Sequence, residues 1–398
     1  MKRLTAILFA TAFLASCSTG RELVVTVENR SAFDRMAEMV EISVYSSEVA
    51  LKQGQAYVVH NSAGEVVPSQ FTHDGMLIFQ PELRANESKK FTVTAEAPHT
   101  YAARTYGRLV PERKEDFAWE NDRVAFRIYG QALIATDGPS NGIDLWYKRT
   151  SDLIVDKWYA DDIAGRASYH DDHGEGLDDY KVGQTLGAGA MAPYVDGRLW
   201  LNENFVSAEV LENGPLRTTF TLTYKDVEVD GRTYSESRTF SIDAGSQLTK
   251  VVQRYYGGMG ESIEVAAGLI KRAGGDSLIV ALDRGYIIYA EPKTDKTEGV
   301  WLGVVFPDGI SEVVVDTTYK HPHVLAVTTT SSVKRSTWRE LTTMRPAETV
   351  TYYTGYGWSM FGFPTAADFE KYIGNFVEGL REPLSVSRRV SRVGRGVR

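Results

Sequence analysis

The sequence predicts an all-β protein with one C-terminal helix, and three observations support this fold class. Its 398 residues include 21 Tyr, 16 Phe, 7 Trp and 35 Gly, a composition that favours strands and turns. Apolar and polar residues alternate in short runs, and Asp-Gly pairs separate several of these runs. Strands do not alternate with helices, and no GxGxxG or Walker sequence occurs, which excludes a doubly wound nucleotide-binding fold.

Residues 1–17 predict a bacterial lipoprotein signal peptide. The segment begins with two basic residues, continues with an apolar stretch over residues 4–14 and ends in the lipobox Leu-Ala-Ser-Cys. The apolar stretch is too short to span a bilayer. We therefore expect Cys17, the only cysteine, to carry lipid, and the protein to contact a membrane through this anchor alone. Ser18 is typical of outer-membrane sorting, so the expected location is the outer membrane, facing the periplasm or the cell surface.

A small N-terminal β-sandwich is predicted over residues 21–97. Short β-branched runs bounded by turn residues indicate its strands. We place these strands at 22–27, 56–60, 66–71, 76–79 and 90–95. The following segment, 98–118, contains two prolines and mixed charges, so we expect a linker or a strap over the second domain.

A larger antiparallel β-domain is predicted over residues 119–385. Turns with Asp and Gly between β-rich runs indicate three hairpins. The paired runs are 227–229 with 234–240, 278–282 with 286–289, and 301–306 with 311–316. A helix is predicted over 365–380, because Thr365 and Asp368 form a capping box and an apolar stripe follows at helical spacing. Residues 386–398 are rich in arginine and predict a solvated basic tail.

Charge and motif content exclude several functional classes. Lys and Arg total 44 against 52 Asp and Glu, a net charge of −8, so we expect no nucleic-acid partner. The single cysteine excludes a disulfide framework and a CxxC zinc or redox site. No G-x-S-x-G sequence occurs, which disfavours the familiar serine-nucleophile enzymes.

The densest polar segment is 169–181, with two histidines, five acidic residues and two tyrosines. His170 and His173 could supply a general base and its partner. Together with Asp172 they could instead bind a divalent cation, although the spacing is neither HExxH nor an EF-hand. No other cofactor is predicted. The alternative interpretation of the whole segment is a solvated acidic loop.

Two further groups of residues predict a sugar site. Arginine can grip a carboxylate with two hydrogen bonds, and tryptophan offers a flat face to a sugar ring. The candidates for substrate binding are Arg108, Trp119, Glu120, Asp122, Arg123, Trp158 and Lys181. The alternatives are a charged strap with surface ion pairs and aromatic residues buried in the core.

The runs 106–113, 116–127, 142–146 and 170–183 are similar to a bacterial family, the domain-of-unknown-function family numbered 4861, from about residue 22 to about 385. Members tend to occur among enzymes that degrade pectin and related uronic-acid glycans, so the resemblance implies an acidic oligosaccharide or polysaccharide as the partner. The 119–358 region also resembles the galactose-mutarotase-like supersandwich, which implies an antiparallel β-supersandwich for the large domain.

Three hypotheses about function follow. The first is an exported enzyme that cleaves uronic-acid-containing, pectin-type oligosaccharides by elimination or hydrolysis. The second is a sugar epimerase or mutarotase that uses the same histidine and glutamate residues, and the third is a non-catalytic glycan-binding lipoprotein.

The roles in the first hypothesis depend on the reaction. Elimination needs a base, a proton donor and a cationic partner for the substrate carboxylate, whereas hydrolysis needs two carboxyl groups that flank the bond. For elimination the candidates are His170 or His173 as base, Tyr169 or Tyr180 as acid, and Arg108, Arg123 or Lys181 as cation. For hydrolysis they are Glu175 with Glu120 or Asp122. We expect His170, His173 and Glu175 to converge in one cleft with Arg108 or Arg123.

Overall fold

The computed structural model describes residues 21–257, 261–317, 321–332 and 347–392. The signal peptide and Cys17 lie outside the described residues. Within them the protein is built from antiparallel β-sheets with few helices, so the predicted all-β class is confirmed. No helix in the described ranges is long and apolar enough to cross a membrane.

The N-terminal sandwich is formed by two sheets. Its first seven strands are β1 (Arg21–Glu28), β2 (Val40–Ser43), β3 (Ala56–His60), β4 (Val66–Val67), β5 (Ser69–Phe71), β6 (Met76–Phe79) and β7 (Ser88–Glu96). Alternate residues of β1 point into the core, as the period-2 pattern requires. There Leu23, Val25 and Val27 pack with Phe79 and Phe91.

The segment predicted as a linker is partly strand. The next elements are β8 (Thr105–Val110), β9 (Asp116–Asn121), β10 (Ala125–Ile128), α1 (Ile134–Asp137), β11 (Asp144–Lys148), α2 (Val155–Ile163) and β12 (Gly176–Leu177). Strand β8 pairs with β9 at the edge of a five-stranded sheet ordered β12-β11-β10-β9-β8. The linker assignment is therefore wrong from residue 105 onward. The two prolines lie outside β8, and four of the charged residues lie in the turn 111–115 between β8 and β9.

The remaining strands build the large domain. They are β13 (Ala188–Val195), β14 (Arg198–Leu199), β15 (Ser207–Asn213), β16 (Arg217–Thr223), β17 (Val227–Val229), β18 (Arg232–Asp243), β19 (Leu248–Tyr256), β20 (Glu264–Ile270), β21 (Ser277–Ala281), β22 (Tyr286–Ala290), β23 (Val300–Val305), β24 (Glu312–Asp316), β25 (His323–Thr329), β26 (Ser331–Ser332) and β27 (Ala347–Trp358). One sheet runs β14-β13-β20-β25-β24, and a ten-stranded sheet follows the order β15-β16-β18-β19-β27-β23-β22-β21 with β17 and β26 beside it. The first two predicted hairpins are present as β17–β18 and β21–β22. The third is wrong, because β23 pairs with β22 and β27 whereas β24 pairs with β25 in the other sheet. The inner face of the ten-stranded sheet packs against this sheet and against β9–β11, around Trp119, Phe126, Phe220 and Phe240.

The C-terminal helix is α3 (Ala366–Arg381), and its capping box is present. Thr365 Oγ1 accepts the Asp368 amide hydrogen at 3.2 Å, and Asp368 Oδ2 accepts the Thr365 amide hydrogen at 3.0 Å. The apolar face of α3 packs on β22 and β23 through Phe369, Ile373 and Val377.

The predicted basic tail begins as a strand. Residues Ser385–Arg392 form β28, which pairs antiparallel with β1 along its whole length. The chain therefore ends in the N-terminal sandwich, in the sheet β28-β1-β7-β3-β4. The solvated-tail prediction is wrong up to residue 392, because pairing with β1 satisfies backbone hydrogen bonds and Leu384 closes the small core.

Candidate active site

The candidate site lies on the outer face of the sheet β8–β12. Successive side chains of β9, β10 and β11 alternate between the two faces. The outer face carries Asp116, Ala118, Glu120, Ala125, Arg127, Asp144, Trp146 and Lys148, all buried. Helix α2 and the loop 164–175, called the histidine loop below, cover this face. Buried charges on a covered sheet face are costly, so each needs a partner.

An aromatic cluster fixes α2 and the histidine loop on the sheet. Trp146 stacks against Trp158 of α2 and against Tyr169 of the loop, with ring centroids 5.3 Å apart in both pairs. Tyr159 completes the cluster 5.0 Å from Trp146. These rings are buried, so Trp158 and Tyr169 hold the loop in place instead of presenting a face to solvent.

Arg127 lies at the centre of a buried group of carboxylates, called the Arg127 cluster. Its Nε donates to Asp144 Oδ2 at 3.0 Å, and its Nη2 donates to Asp178 Oδ2 at 2.9 Å and also to Asp144. Asp116 Oδ2 lies 3.9 Å from Arg127 Nε, and the Tyr129 hydroxyl donates to Asp144 Oδ2 at 2.6 Å. Sequence reasoning missed Arg127 as a site residue.

Proton affinity in the Arg127 cluster is raised by burial. Loss of solvent raises the pKa of Asp116 to about 6, against the opposing effect of Arg127. The same cause raises the pKa of Asp178 to about 6. Burial thus holds the pKa of both carboxyl groups above the usual aspartate value, a perturbation that is typical of functional sites and also occurs in structural ion-pair networks.

His170 connects the Arg127 cluster to the surface. Its Nδ1 lies 2.9 Å from the Asp178 carbonyl oxygen and 3.8 Å from Asp178 Oδ2, while 49% of its side chain is exposed. The ring packs on Tyr169 at 4.6 Å. Lys296 Nζ donates to the His170 carbonyl at 2.9 Å and lies 3.6 Å from Asp171 Oδ1. The exposed His170 imidazole is thus held through Nδ1, and Lys296 lies next to it.

His173 and Glu175 line a small depression of about 20 Å³ in the histidine loop. His173 Nε2 is 3.1 Å from the Ser168 carbonyl. Glu175 Oε2 accepts hydrogen bonds from Lys157 Nζ at 2.8 Å and from Trp158 Nε1 at 3.1 Å. Lys157 holds the pKa of Glu175 below its usual value. The depression has room for about one water molecule, not for a sugar ring.

The two predicted arginines lie elsewhere. Arg108 pairs with Asp156 at 2.6 Å and with Glu112 at 2.7 Å, so carboxylates already occupy both sides of its guanidinium. Arg123 is exposed in the β9–β10 turn, over the Phe361 ring at 5.7 Å. Neither arginine contacts the histidine loop. The expected convergence with Arg108 or Arg123 is therefore wrong, and the arginine linked to His170, through Asp178, is Arg127.

Trp119 and Glu120 are structural residues, which corrects their assignment to substrate binding. Trp119 is fully buried, and its Nε1 donates to Thr249 Oγ1 at 3.0 Å. Glu120 pairs with Lys148 Nζ at 2.8 Å, and both side chains are 0% exposed. Glu120 also accepts the amide hydrogens of residues 154 and 155 at the start of α2, which have no acceptor within the helix.

The other predicted residues are placed individually. Asp122 binds Arg104 at 2.7 Å and stabilises the turn. Tyr180 is buried, and the Arg272 guanidinium lies over the Tyr180 ring, 5.0 Å from the ring centroid. Burial raises the pKa of Tyr180 well above its usual value. Lys181 is exposed, and its carbonyl accepts a hydrogen bond from Arg272 at 2.6 Å.

The residues suggested for a cation do not converge. Asp172 Oδ1 accepts hydrogen bonds from Arg149 at 3.0 Å and from the Gly174 amide at 2.8 Å. The nearest partners of His170 and His173 are backbone carbonyls. Across the ranges that the structure describes, no group of three or more His, Cys, Asp or Glu could hold a metal ion. The cation site stays a prediction.

Comparison with known proteins identifies the family. The model of the family named "Domain of unknown function (DUF4861)" matches residues 27–386. A relative from Formosa agariphila named uncharacterized protein P7 is 32% identical over 95% of this chain and 97% of its own length. Two solved structures from Enterococcus faecalis are similar at TM-scores of 0.49, an alpha-mannosidase at 8% identity and a protein in glycosyl hydrolase family 38 at 7%. They match 93% and 94% of this chain, which spans about half of their length, 46% and 48%. The family match confirms the resemblance, and the chain belongs to the DUF4861 family.

Proposed function

We propose that this protein is a carbohydrate-active enzyme that acts on uronic-acid-containing, pectin-type oligosaccharides, with His170 as its general base. One observation carries the proposal. His170 is half exposed, and its Nδ1 is held by Asp178, whose carboxylate is anchored in turn by Arg127. When Nδ1 donates its hydrogen to the carbonyl of Asp178, the lone pair lies on Nε2. That lone pair can accept a proton from a bound substrate.

Two lysines near His170 can bind the carboxylate of an acidic substrate. Lys296 lies beside His170, with 47% of its side chain exposed, and Lys181 is exposed a few residues after Asp178. In β-elimination a cation that neutralises the uronate carboxylate makes the neighbouring C5 proton easier to remove. Lys296 can take this role when its ammonium group exchanges Asp171, 3.6 Å away, for the substrate carboxylate.

The expected reaction is elimination. His170 Nε2 takes the C5 proton, the C–H electrons form the C4–C5 double bond, and the bond from C4 to the glycosidic oxygen breaks. The departing oxygen takes a proton from water at this exposed site. Hydrolysis by the predicted pairs lacks comparable support, because Glu120 is fully buried against Lys148 and Asp122 binds Arg104. The lipobox at Cys17 supports an exported, lipid-anchored enzyme.

The test is to incubate the full-length protein with a panel of pectic oligosaccharides. Absorbance of unsaturated uronate, reducing ends and product masses are followed together. The proposal expects new reducing ends and unsaturated products in equal amounts. Reducing ends without unsaturation would indicate hydrolysis, and isomerisation without cleavage would indicate an epimerase. Binding with no product at all would favour a glycan-binding lipoprotein.

A further inference from the structure

A cavity of about 480 Å³ lies between the two domains, away from His170. The loop 33–41 of the N-terminal sandwich, α3 and the outer face of the ten-stranded sheet enclose it. Lys250 and Tyr353 of that sheet line the cavity, whereas their chain neighbours Val251 and Tyr352 are buried in the core. The sheet β8–β12, whose outer face the histidine loop covers, packs on the inner face of the ten-stranded sheet, so the cavity and the candidate active site lie on opposite sides of the core.

The floor of the cavity is a polar row across three strands. Ser241 is paired with Lys250, and Lys250 is paired with Tyr353 in the neighbouring strand. Side chains opposite each other on one face of a sheet lie about 5 Å apart. Burial raises the pKa of Tyr353 to about 12, so its hydroxyl stays protonated and can donate a hydrogen bond.

Lys250 is the available cation of this floor. It is exposed and forms no ion pair with any residue that the structure describes. The neighbouring Arg217 is already shared between Asp243 at 2.6 Å and Glu41 at 2.7 Å. Four carboxylates also line the cavity, and each has a partner: Glu38 binds Arg35, Glu41 and Asp243 bind Arg217, and Asp34 accepts the Ala85 amide hydrogen. An anionic ligand would therefore meet Lys250 without displacing an existing partner of that lysine.

The wall formed by α3 is aromatic and carries one free amide. Phe376 packs edge-on against Tyr353, with ring centroids 5.0 Å apart and an interplanar angle of 73°. Asn375 lines the cavity next to Phe376, and its side-chain amide forms no hydrogen bond within the described ranges. A purely apolar ligand would cover the polar groups of Lys250 and Asn375 without giving either a hydrogen-bond partner, which costs free energy.

We propose that this cavity is a second binding site, which holds a uronic-acid residue of a glycan. Its volume falls within the range of about 300–1,000 Å³ that is usual for ligand pockets, and it lies at a domain interface, where such pockets concentrate. The apolar face of the sugar packs on Phe376 and Tyr353, the carboxylate binds Lys250, and Asn375 pairs with ring hydroxyls. The site retains acidic glycan on the face opposite His170, and it does not depend on catalysis there.

The test measures binding of trigalacturonate and of its neutral methyl ester by calorimetry. The full-length protein carries His170→Ala in every sample, so that no ligand is consumed. Lys250→Ala should weaken binding of trigalacturonate at one site by about tenfold, the loss of one charge-assisted hydrogen bond, and leave the ester unaffected. The matched control is Lys371→Ala, because Lys371 is an exposed residue of α3 that does not line the cavity.

Unchanged binding in Lys250→Ala, or an equal loss in Lys371→Ala, would overturn the second site. Binding of a fatty acid that is indifferent to Lys250 would overturn it too. Formation of unsaturated product is then compared between Lys250→Ala and the unmodified protein, both with His170 intact. This rate reports on His170 alone, so failure of the second site and failure of the proposed reaction are separable.

Discussion

Replacing Glu120 by glutamine should lower the free energy of unfolding by about 3 kcal/mol, because it isolates a buried ammonium group. Both Glu120 and Lys148 are 0% exposed, and their charged atoms lie 2.8 Å apart. Glutamine keeps the shape of the side chain and one oxygen for the amide hydrogens at the start of α2. Lys148 Nζ keeps its hydrogen bond to the Asn121 carbonyl oxygen at 2.6 Å. We therefore expect a loss at the lower end of the range of about 3–5 kcal/mol that is usual when one partner of a buried ion pair is removed.

The matched second variant is Glu120→Gln with Lys148→Met. It removes both charges, keeps the volume and should recover most of the loss. Denaturant titration of the wild type, both single variants and the double variant gives the coupling energy directly. A loss below about 1 kcal/mol in Glu120→Gln would refute the structural role. Loss of turnover without loss of stability would also refute it, since that result would indicate that Glu120 binds substrate.

Four further predictions follow from individual contacts. The pKa of Asp116 is raised to about 6 in the folded protein, so the wild type should lose stability relative to Asp116→Asn as the pH rises from about 4 to about 6. Urea titrations over this pH range measure the difference, and a gain in relative stability would contradict the prediction. Truncation before β28 should make the N-terminal sandwich sensitive to limited proteolysis, whereas truncation after residue 392 should not. Thr365→Ala should cost about 1 kcal/mol of stability by removing the cap of α3, measured by thermal unfolding. Mass spectrometry of Cys17→Ser should show an unprocessed precursor, and normal processing would refute the lipoprotein prediction.

Local features of the fold could be predicted because short stretches of chain determine them. The hairpin of β17 and β18 turns at Asp230 and Gly231, which both have positive φ, 47° and 74°. Such a turn matches the twist of the strands that it joins, and Asp-Gly is a sequence that adopts it readily. The capping box and apolar stripe of α3 are equally local.

Strands β8 and β28 were missed because their partners, not their own residues, make them strands. Arg388 and Arg389 in β28 read as solvated charges, and Val386 and Val390 remain 40% and 43% exposed in the structure. The partner of β28 lies at the other end of the chain, where no local pattern can point to it.

The candidate site was half predicted. The histidine loop was identified from its composition. Arg127 was not, because it lies within an apolar strand, where a single charged residue indicates the edge of a sheet and not a site. Asp116, Asp144 and Asp178 come from three separate segments, and only the fold brings them to Arg127. A signal was present, because charged residues at alternate positions of three successive short strands place them on one face of a sheet.

The most direct test of the proposed function is the initial rate of unsaturated-uronate formation by His170→Ala and by His173→Ala. The two histidines belong to the same loop and are both exposed, so neither change should alter the melting temperature appreciably. His170→Ala should abolish the reaction, since it removes the base that Asp178 holds. His173→Ala should retain turnover, because the one hydrogen bond of this ring to the described part of the chain goes to the Ser168 carbonyl. Equal activity in the two variants, or loss of activity in His173→Ala alone, would contradict the assignment of His170 as the base.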